Sequence, residues 1–167
     1  MREKSVGKDA IMRIDKQRQR YHIEKYEPGE NQPKAIIVDI DGTIATMAGR
    51  SPYDYTRVSE DMPNEDIISI VNLHKQAGYR VIIVSGRDDS CRNDTEKWLK
   101  NHSVPYDELY MRKNGDRRKD NQVKLEIFNN YIRPFYNIKF VLDDRNQVVE
   151  MWRKLGLRTL QLADGNF

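Results

Sequence analysis

The sequence predicts an α/β fold built on a parallel sheet. Three observations carry this reading. Short apolar runs rich in β-branched residues recur along the chain, as at 35–38 and 81–84. These runs are continuously apolar rather than alternating, the pattern of strands covered on both faces. Segments with apolar residues at helical spacing separate them. Alternating strands and helices give parallel strands joined by right-handed crossovers.

The elements follow in order. Residues 1–33 are polar and rich in Lys and Arg, and they end in Pro28-Gly29 and Pro33. Pro and Gly punctuate loops, so 1–33 reads as a basic arm or linker, either flexible or holding a short peripheral helix. Its charges fit a solvated tail or an arm that touches nucleic-acid phosphate. The domain proper is expected over 34–167. AIIVDID (35–41) is the first strand. Residues 64–78 read as a helix: Asn64 caps it, Ile67, Ile70, Val71 and His74 recur at helical spacing, and Gly78 suits the position after its last turn. Residues 79–85 form the second strand, and 94–102 a helix with Trp98 and Leu99 inward. A short third strand is expected at 106–111. A helix over 120–132 places Val123, Ile127 and Tyr131 on one face and is ended by Pro134. Residues 138–144 are the fourth strand. A helix over 147–155 stops at Gly156, and 157–163 is the fifth strand.

Composition bounds the function. A chain of 167 residues suits one domain with a self-sufficient core. One Cys rules out an intrachain disulfide. No apolar run approaches the roughly 20 residues of a membrane span, and no apolar segment follows the basic N-terminus as in a secretory signal. A cytoplasmic protein without membrane contact is expected. A net charge of +3 mildly favours an anionic partner.

In open parallel sheets ligands bind beyond the carboxyl ends of the strands. The first predicted strand ends in Asp39-Ile40-Asp41-Gly42-Thr43, the second in Ser85-Gly86-Arg87 and the fourth in Asp143-Asp144, while the helix from Asp120 carries Lys124 one turn on. Carboxylates gathered in one crevice repel unless a cation sits among them, and Mg²⁺ takes such oxygen ligands together with substrate phosphate. Strand alternation sends Asp39 and Asp41 to the same side. One carboxylate can then attack phosphorus while the other protonates the leaving alkoxide. Lys124 and Ser85 can hold the transferring phosphoryl oxygens.

DxDGT after an apolar strand, then a strand-terminal Ser, a Lys, and DD after another strand resemble the haloacid dehalogenase (HAD) superfamily of phosphohydrolases. The resemblance implies a Rossmann-like sheet of order 5-4-1-2-3 with a minimal cap, and Mg²⁺ as cofactor. It makes Asp39 the nucleophile and a metal ligand. Asp41 becomes the general acid/base and lends its backbone carbonyl to the metal. Ser85 and Lys124 become phosphate ligands, and Asp143 and Asp144 complete the metal site. The segments KAIIVDIDGTIATMAGRSPYD, GYRVIIVSGRDD, GDRRKDNQVKLEIF and LDDRNQVVEMWRKLG further resemble the 3′-phosphatase domains of T-even bacteriophage polynucleotide kinase/phosphatases. That likeness adds Arg50, Arg87 and Asp120 as functional positions, with RNA or DNA 3′ ends as partners. No GxxxxGK[ST] motif occurs, so 5′-kinase activity is not expected of this chain, and a kinase domain would be separate or missing. About twenty residues separate Thr43 from the helix at Asn64, too few for a large cap; an open site admits a polymer end.

Other readings compete. Arg87 and Asp120 are expected either to contact phosphate or to pair with each other. Arg112, Lys113, Arg117, Arg118 and Lys119 form a basic cluster that is either a solvated face or a hold on a strand backbone. Tyr53 and Tyr55 are candidates to touch a terminal base. Cys91, His22, His74 and His102 lack partners at metal-ligand spacing, and Trp98 and Trp152 read as core. A small-molecule phosphatase such as a nucleotidase is the alternative function. A receiver-type signalling module is disfavoured, since no acceptor Asp follows the third strand.

Overall fold

The computed structural model describes residues 14–15, 20–21, 23–47 and 49–166. Five strands, β1 (Lys34–Val38), β2 (Arg80–Asp88), β3 (Glu108–Arg112), β4 (Asn137–Arg145) and β5 (Thr159–Gly165), make one sheet. All neighbours pair in parallel, in the order β3-β2-β1-β4-β5, the expected 5-4-1-2-3 read from the other edge. Two antiparallel ribbons lie outside this order: Ala45–Thr46 with Met62–Pro63, and Ile14–Asp15 with Arg20–Tyr21.

The alternation of side chains explains why the central strands β1 and β2 are apolar over most of their length. In β1, Ile36 and Val38 face one layer while Ala35 and Ile37 face the other; in β2, Val81 and Ile83 oppose Ile82 and Val84. One layer holds α1 (Glu65–Gln76) and α2 (Arg92–Asn101), with Ile68, Val71, Trp98 and Leu99 buried. The other holds α3 (Asp120–Ile127) and α4 (Asn146–Lys154), with Val123, Val148, Met151 and Trp152 buried. Burying each such large aliphatic side chain contributes about 1.5–3 kcal/mol, and burial on both faces leaves no polar position in β1 after Lys34.

Several expectations shift in detail. Asn64 takes the N-cap position of α1, but its side chain makes no capping bond; its side-chain amide donates instead to the Thr43 carbonyl at 3.1 Å, tying the helix to the loop after β1. Gly78 does take the left-handed conformation, φ +86°. The helix from Asp120 widens into a π turn over Phe128–Ile132, where the Arg133 amide bonds back to the Phe128 carbonyl. The extra residue in that turn rotates the buried face. Phe128 and Ile132 go inward, and Tyr131, expected on the apolar face, is half exposed and stacks on Tyr110.

The readings of a free arm or a peripheral helix for 1–33 fall largely outside the described residues. Residues 23–33 pack against the domain as a strap. The Tyr26 amide bonds to the Leu155 carbonyl, its hydroxyl bonds to the Tyr136 carbonyl and receives the Ile138 amide, and its ring meets Phe128 edge-on. Arg133 donates to the carbonyls of Glu24 and Lys25. No helix among the described residues is long and apolar enough to cross a membrane.

From β1 the chain winds outward through β2 and β3 on one side, then crosses to β4 and β5 on the other. The switch point lies between β1 and β4. The carboxyl ends of these two strands carry Asp39, Asp143 and Asp144.

Candidate active site

Beyond Val38 the chain leaves the ladder with one more sheet-like bond, from the Asp39 amide to the Leu142 carbonyl at 2.9 Å. This places Asp39 beside the end of β4. Oxygens of Asp39, Asp143 and Asp144 lie within 4.8 Å of one another, all three residues buried. Lys124 reaches them from α3: its ammonium donates to Asp39 Oδ1 at 2.7 Å and Asp143 Oδ2 at 3.0 Å. Trp152 Nε1 also donates to Asp143 Oδ2, at 3.1 Å, and the Arg145 amide to its Oδ1. A core tryptophan thus orients a site carboxylate.

The charges here are strained. Burial raises the Asp39 carboxyl well above its ordinary value; Lys124 pulls it back, and Asp143 and Asp144 add to the rise. Burial, then the charge of Asp143, pushes Asp144 up to about 6. Burial alone would discharge Lys124, but Asp143, Asp39 and Asp120 outweigh it and hold the ammonium more firmly protonated than in water. One ammonium does not neutralise three carboxylates, and Asp144 Oδ1 is buried with no hydrogen-bond partner among the described residues. An oxygen-lined, cation-deficient cluster of this kind fits Mg²⁺. Gly42 lets the loop close over it. A Cβ at this position would lie 2.0 Å from Asp144 Oδ2, and its φ of +82° disfavours any side chain.

Asp41 stands apart from that cluster. Its Oδ1 receives Arg50 Nη2 and Arg87 Nη2, each at 2.7 Å, and its Oδ2 receives Arg87 Nε at 3.0 Å. Both arginines also converge on Asp61, Arg50 through a two-pronged pair at 2.7 Å and Arg87 at 2.6 Å. Asp61 is itself held by Trp98 Nε1 on its carbonyl, at 2.8 Å. Arg50, Arg87 and Asp61 are buried, so the group acts as a frame that aims Asp41.

A third group surrounds Asp120. Arg112 Nη2 donates to its Oδ1 at 3.0 Å, Arg145 Nη1 lies 3.5 Å from Oδ2, and Lys124 stands 3.9 Å away. Of the two alternatives for Arg87 and Asp120, the mutual pair does not form: Arg87 belongs to Asp41 and Asp61, and Arg112 and Arg145 take Asp120. Arg112 was expected within a basic run; it is instead turned inward, bonding also to the Gly86 carbonyl at 3.0 Å. Ser85 is fully buried, its Oγ accepting the Arg87 amide at 3.2 Å.

These groups border one cleft of about 520 Å³, lined among others by Asp39, Asp41, Tyr53, Arg117, Asp144 and Arg145. Of the expected site residues, Asp39, Asp41, Arg87, Asp120 and Asp144 line it, while Lys124, Asp143 and Ser85 sit beneath and Arg50 behind Asp41. Sequence reasoning missed Asp61 and Arg145. Arg145 directly follows Asp143-Asp144, a signal that was available. Asp61 lies in a polar loop with no motif around it, and only the fold brings it to Arg50 and Arg87. His74 packs edge-on against Tyr79 and Phe140, and the single Cys is buried near Thr95, both outside the cleft.

Comparison with known proteins agrees with this geometry. Residues 33–167 match the family described as the polynucleotide kinase PNKP phosphatase domain. A protein of Autographa californica nuclear polyhedrosis virus, named as a bifunctional polynucleotide kinase/RNA ligase, is 38% identical over 143 residues, covering 83% of this chain and 21% of its own length. A chain in the structure of a Pnkp1/Rnl/Hen1 RNA repair complex is 40% identical with a TM-score of 0.83, over 87% of this chain and 47% of that one. This chain therefore spans about a fifth to a half of the length of these relatives. The class C acid phosphatase of Bacillus anthracis shares the fold alone, at 16% identity and a TM-score of 0.59 over 83% of this chain and 70% of its own.

Proposed function

Because the chain belongs to the family of polynucleotide kinase phosphatase domains within the HAD phosphatases, we propose that it is a Mg²⁺-dependent polynucleotide 3′-phosphatase that repairs RNA or DNA ends. The observation that carries this reading is the Asp39 carboxylate, held at 2.7 Å by a buried lysine beside Asp143 and Asp144.

With Oδ1 held by Lys124, Oδ2 is the Asp39 oxygen that carries no protein hydrogen bond among the described residues. Oδ2 attacks the phosphorus of a terminal 3′-phosphate, and the bond from phosphorus to the 3′ oxygen breaks. Asp41 gives its proton to that departing oxygen. Its Oδ1 is crowded by both arginines, so Oδ2, with one contact, is the oxygen more open to the departing group. Asp41 then takes a proton from water as the water attacks the phospho-aspartate, freeing phosphate and Asp39. Asp39, Asp143 and Asp144 would hold Mg²⁺, which when bound offsets negative charge on the phosphoryl oxygens. Arg50, Arg87 and Asp61 fix the direction of Asp41, and Lys124 favours the ionised, attacking form of Asp39 against the burial that opposes it. The RNA repair complex and the viral kinase/ligase among the relatives support a role beside kinase and ligase activities, supplied by other domains or proteins.

Phosphate release from a 3′-phosphorylated oligonucleotide tests the proposal. Release is expected with Mg²⁺, loss on chelation, and loss in Asp39→Asn. Full activity in Asp39→Asn would refute the nucleophile assignment, and a preference for free nucleotides would favour the small-molecule alternative.

A further inference from the structure

The cleft is larger than the reacting group needs. A volume near 520 Å³ lies within the roughly 300–1,000 Å³ of sites that hold whole small molecules, yet the acidic cluster and Lys124 occupy only its floor. Two residues on its wall have no role in the chemistry above. Tyr53, from the loop after β1, is 70% exposed and, unlike the exposed rings of Tyr131 and Phe135, lines the cleft. Its hydroxyl lies 3.4 Å from Arg145 Nη2, and Arg145 in turn approaches Asp120, so the ring is tied through Arg145 to the residues of the cleft. Arg117, from the loop after β3, lines the same cleft and is exposed. The arginines around it are committed: Arg87 to Asp41 and Asp61, Arg112 to Asp120, and Arg118 to Asp116 and Glu126. The Arg117 guanidinium makes no ion pair among the described residues. The Gly86 carbonyl ties the two walls together, accepting the Tyr55 hydroxyl at 3.4 Å from one loop and Arg112 Nε at 3.0 Å from the other side.

An aromatic face open to a phosphate cleft suits a stacked base, and an uncommitted guanidinium suits a phosphodiester. We propose that Tyr53 and Arg117 form a nucleotide subsite outside the reaction centre, in which Tyr53 stacks on the terminal base and Arg117 holds the next phosphodiester of a single strand. The subsite rests on the 3′-phosphatase reading and sharpens it. It makes the enzyme select a strand over a mononucleotide, because only a strand presents a second phosphate to Arg117.

Steady-state kinetics on three substrates tests this: a 3′-phosphorylated tetranucleotide, the matching free 3′-mononucleotide, and p-nitrophenyl phosphate, which offers no nucleotide at all. In the wild type KM is expected to be at least tenfold lower for the tetranucleotide than for the mononucleotide. Arg117→Ala should raise the tetranucleotide KM about five- to tenfold with little change in kcat, and should leave the other two substrates within twofold. It should also flatten the dependence of log(kcat/KM) on log salt by roughly 0.7, the contribution of one lost contact to a single strand. Tyr53→Ala should raise KM for both nucleotide substrates by about fivefold or more, with Tyr53→Trp restoring it. The subsite is overturned if both variants keep the tetranucleotide KM within twofold of wild type, or if they lose p-nitrophenyl phosphate turnover in equal measure. A wild type that cleaves p-nitrophenyl phosphate but no 3′-phosphorylated strand overturns the subsite together with the reading beneath it.

Discussion

Replacing Gly86 with alanine probes how tightly the floor of the cleft is built. Gly86 does not lie in the left-handed region, so an alanine there costs little backbone strain, and the effect comes from one methyl group. That methyl would sit 2.4 Å from Asp120 Oδ1 and 2.9 Å from its Cγ, against an ordinary contact of 3.4 Å or more. Asp120 must therefore retreat by about 1 Å, and its 3.0 Å bond to Arg112 is the contact that this movement breaks. Loss of one charge-assisted hydrogen bond costs about 1.5–3 kcal/mol, which in a domain of this size lowers Tm by roughly 3–12 °C. A displacement of this scale beside Lys124 is expected to lower kcat about 100-fold. Thermal unfolding and phosphate release from a 3′-phosphorylated oligonucleotide measure the two effects. A double-mutant cycle isolates the cause: in an Asp120→Ala background there is no carboxylate to displace, and Gly86→Ala should be nearly neutral in Tm. Gly86→Ala protein with wild-type kcat and Tm would refute the reasoning, as would fully additive losses in the cycle.

Other consequences can be measured in the same assays. Lys124→Met removes the one cation that pairs with Asp39 and Asp143 among the described residues; leaving buried carboxylates unpaired should cost about 3–5 kcal/mol and abolish turnover, and a stable, active variant would exclude its role. Asp144 carries a pKa raised to about 6, so the metal-free folded state holds a proton that the unfolded chain releases near the ordinary carboxylate value of 3.8. Its contribution to stability is therefore lost as pH rises through that interval, while divalent-ion binding, which needs the ionised cluster, strengthens over the same interval. The rise in Tm on adding Mg²⁺ should be small at pH 5 and larger at pH 7.5, and equal shifts would count against the cluster as the metal site. Asp61→Asn weakens the frame around Asp41 without opening a cavity; kcat should fall at least 100-fold, and retention of wild-type kcat would show that Asp41 needs no such frame. Tyr26→Phe removes the hydroxyl bonded to the Tyr136 carbonyl and the Ile138 amide, and should lower stability by roughly 1–3 kcal/mol with kcat unchanged; an unchanged Tm would show that the strap does not support the domain.

Much of this molecule was readable from local pattern. Continuous apolar runs marked the central strands β1 and β2 because burial on both faces leaves an unbroken signal, the edge strands β3 and β5 carry a weaker, interrupted pattern, and 3.6-residue spacing marked the four helices. The meeting of Asp39, Asp143 and Asp144 was legible because strand ends in a parallel sheet share one edge, whereas Asp41 reaches the same cleft on a separate arginine frame. The ion pairing was not legible. One of the two readings of Arg87 and Asp120 paired them with each other; Arg87 instead joins Arg50 around Asp61, while Asp120 takes Arg112 and Arg145. With 29 basic and 26 acidic side chains in the chain, opposite charges alone leave many pairings open. Composition and periodicity thus determine which segments enter the sheet and which ends carry the acids. The path of the loops over that edge decides which charges are buried together, since only contact in three dimensions excludes the water that would otherwise leave them independent.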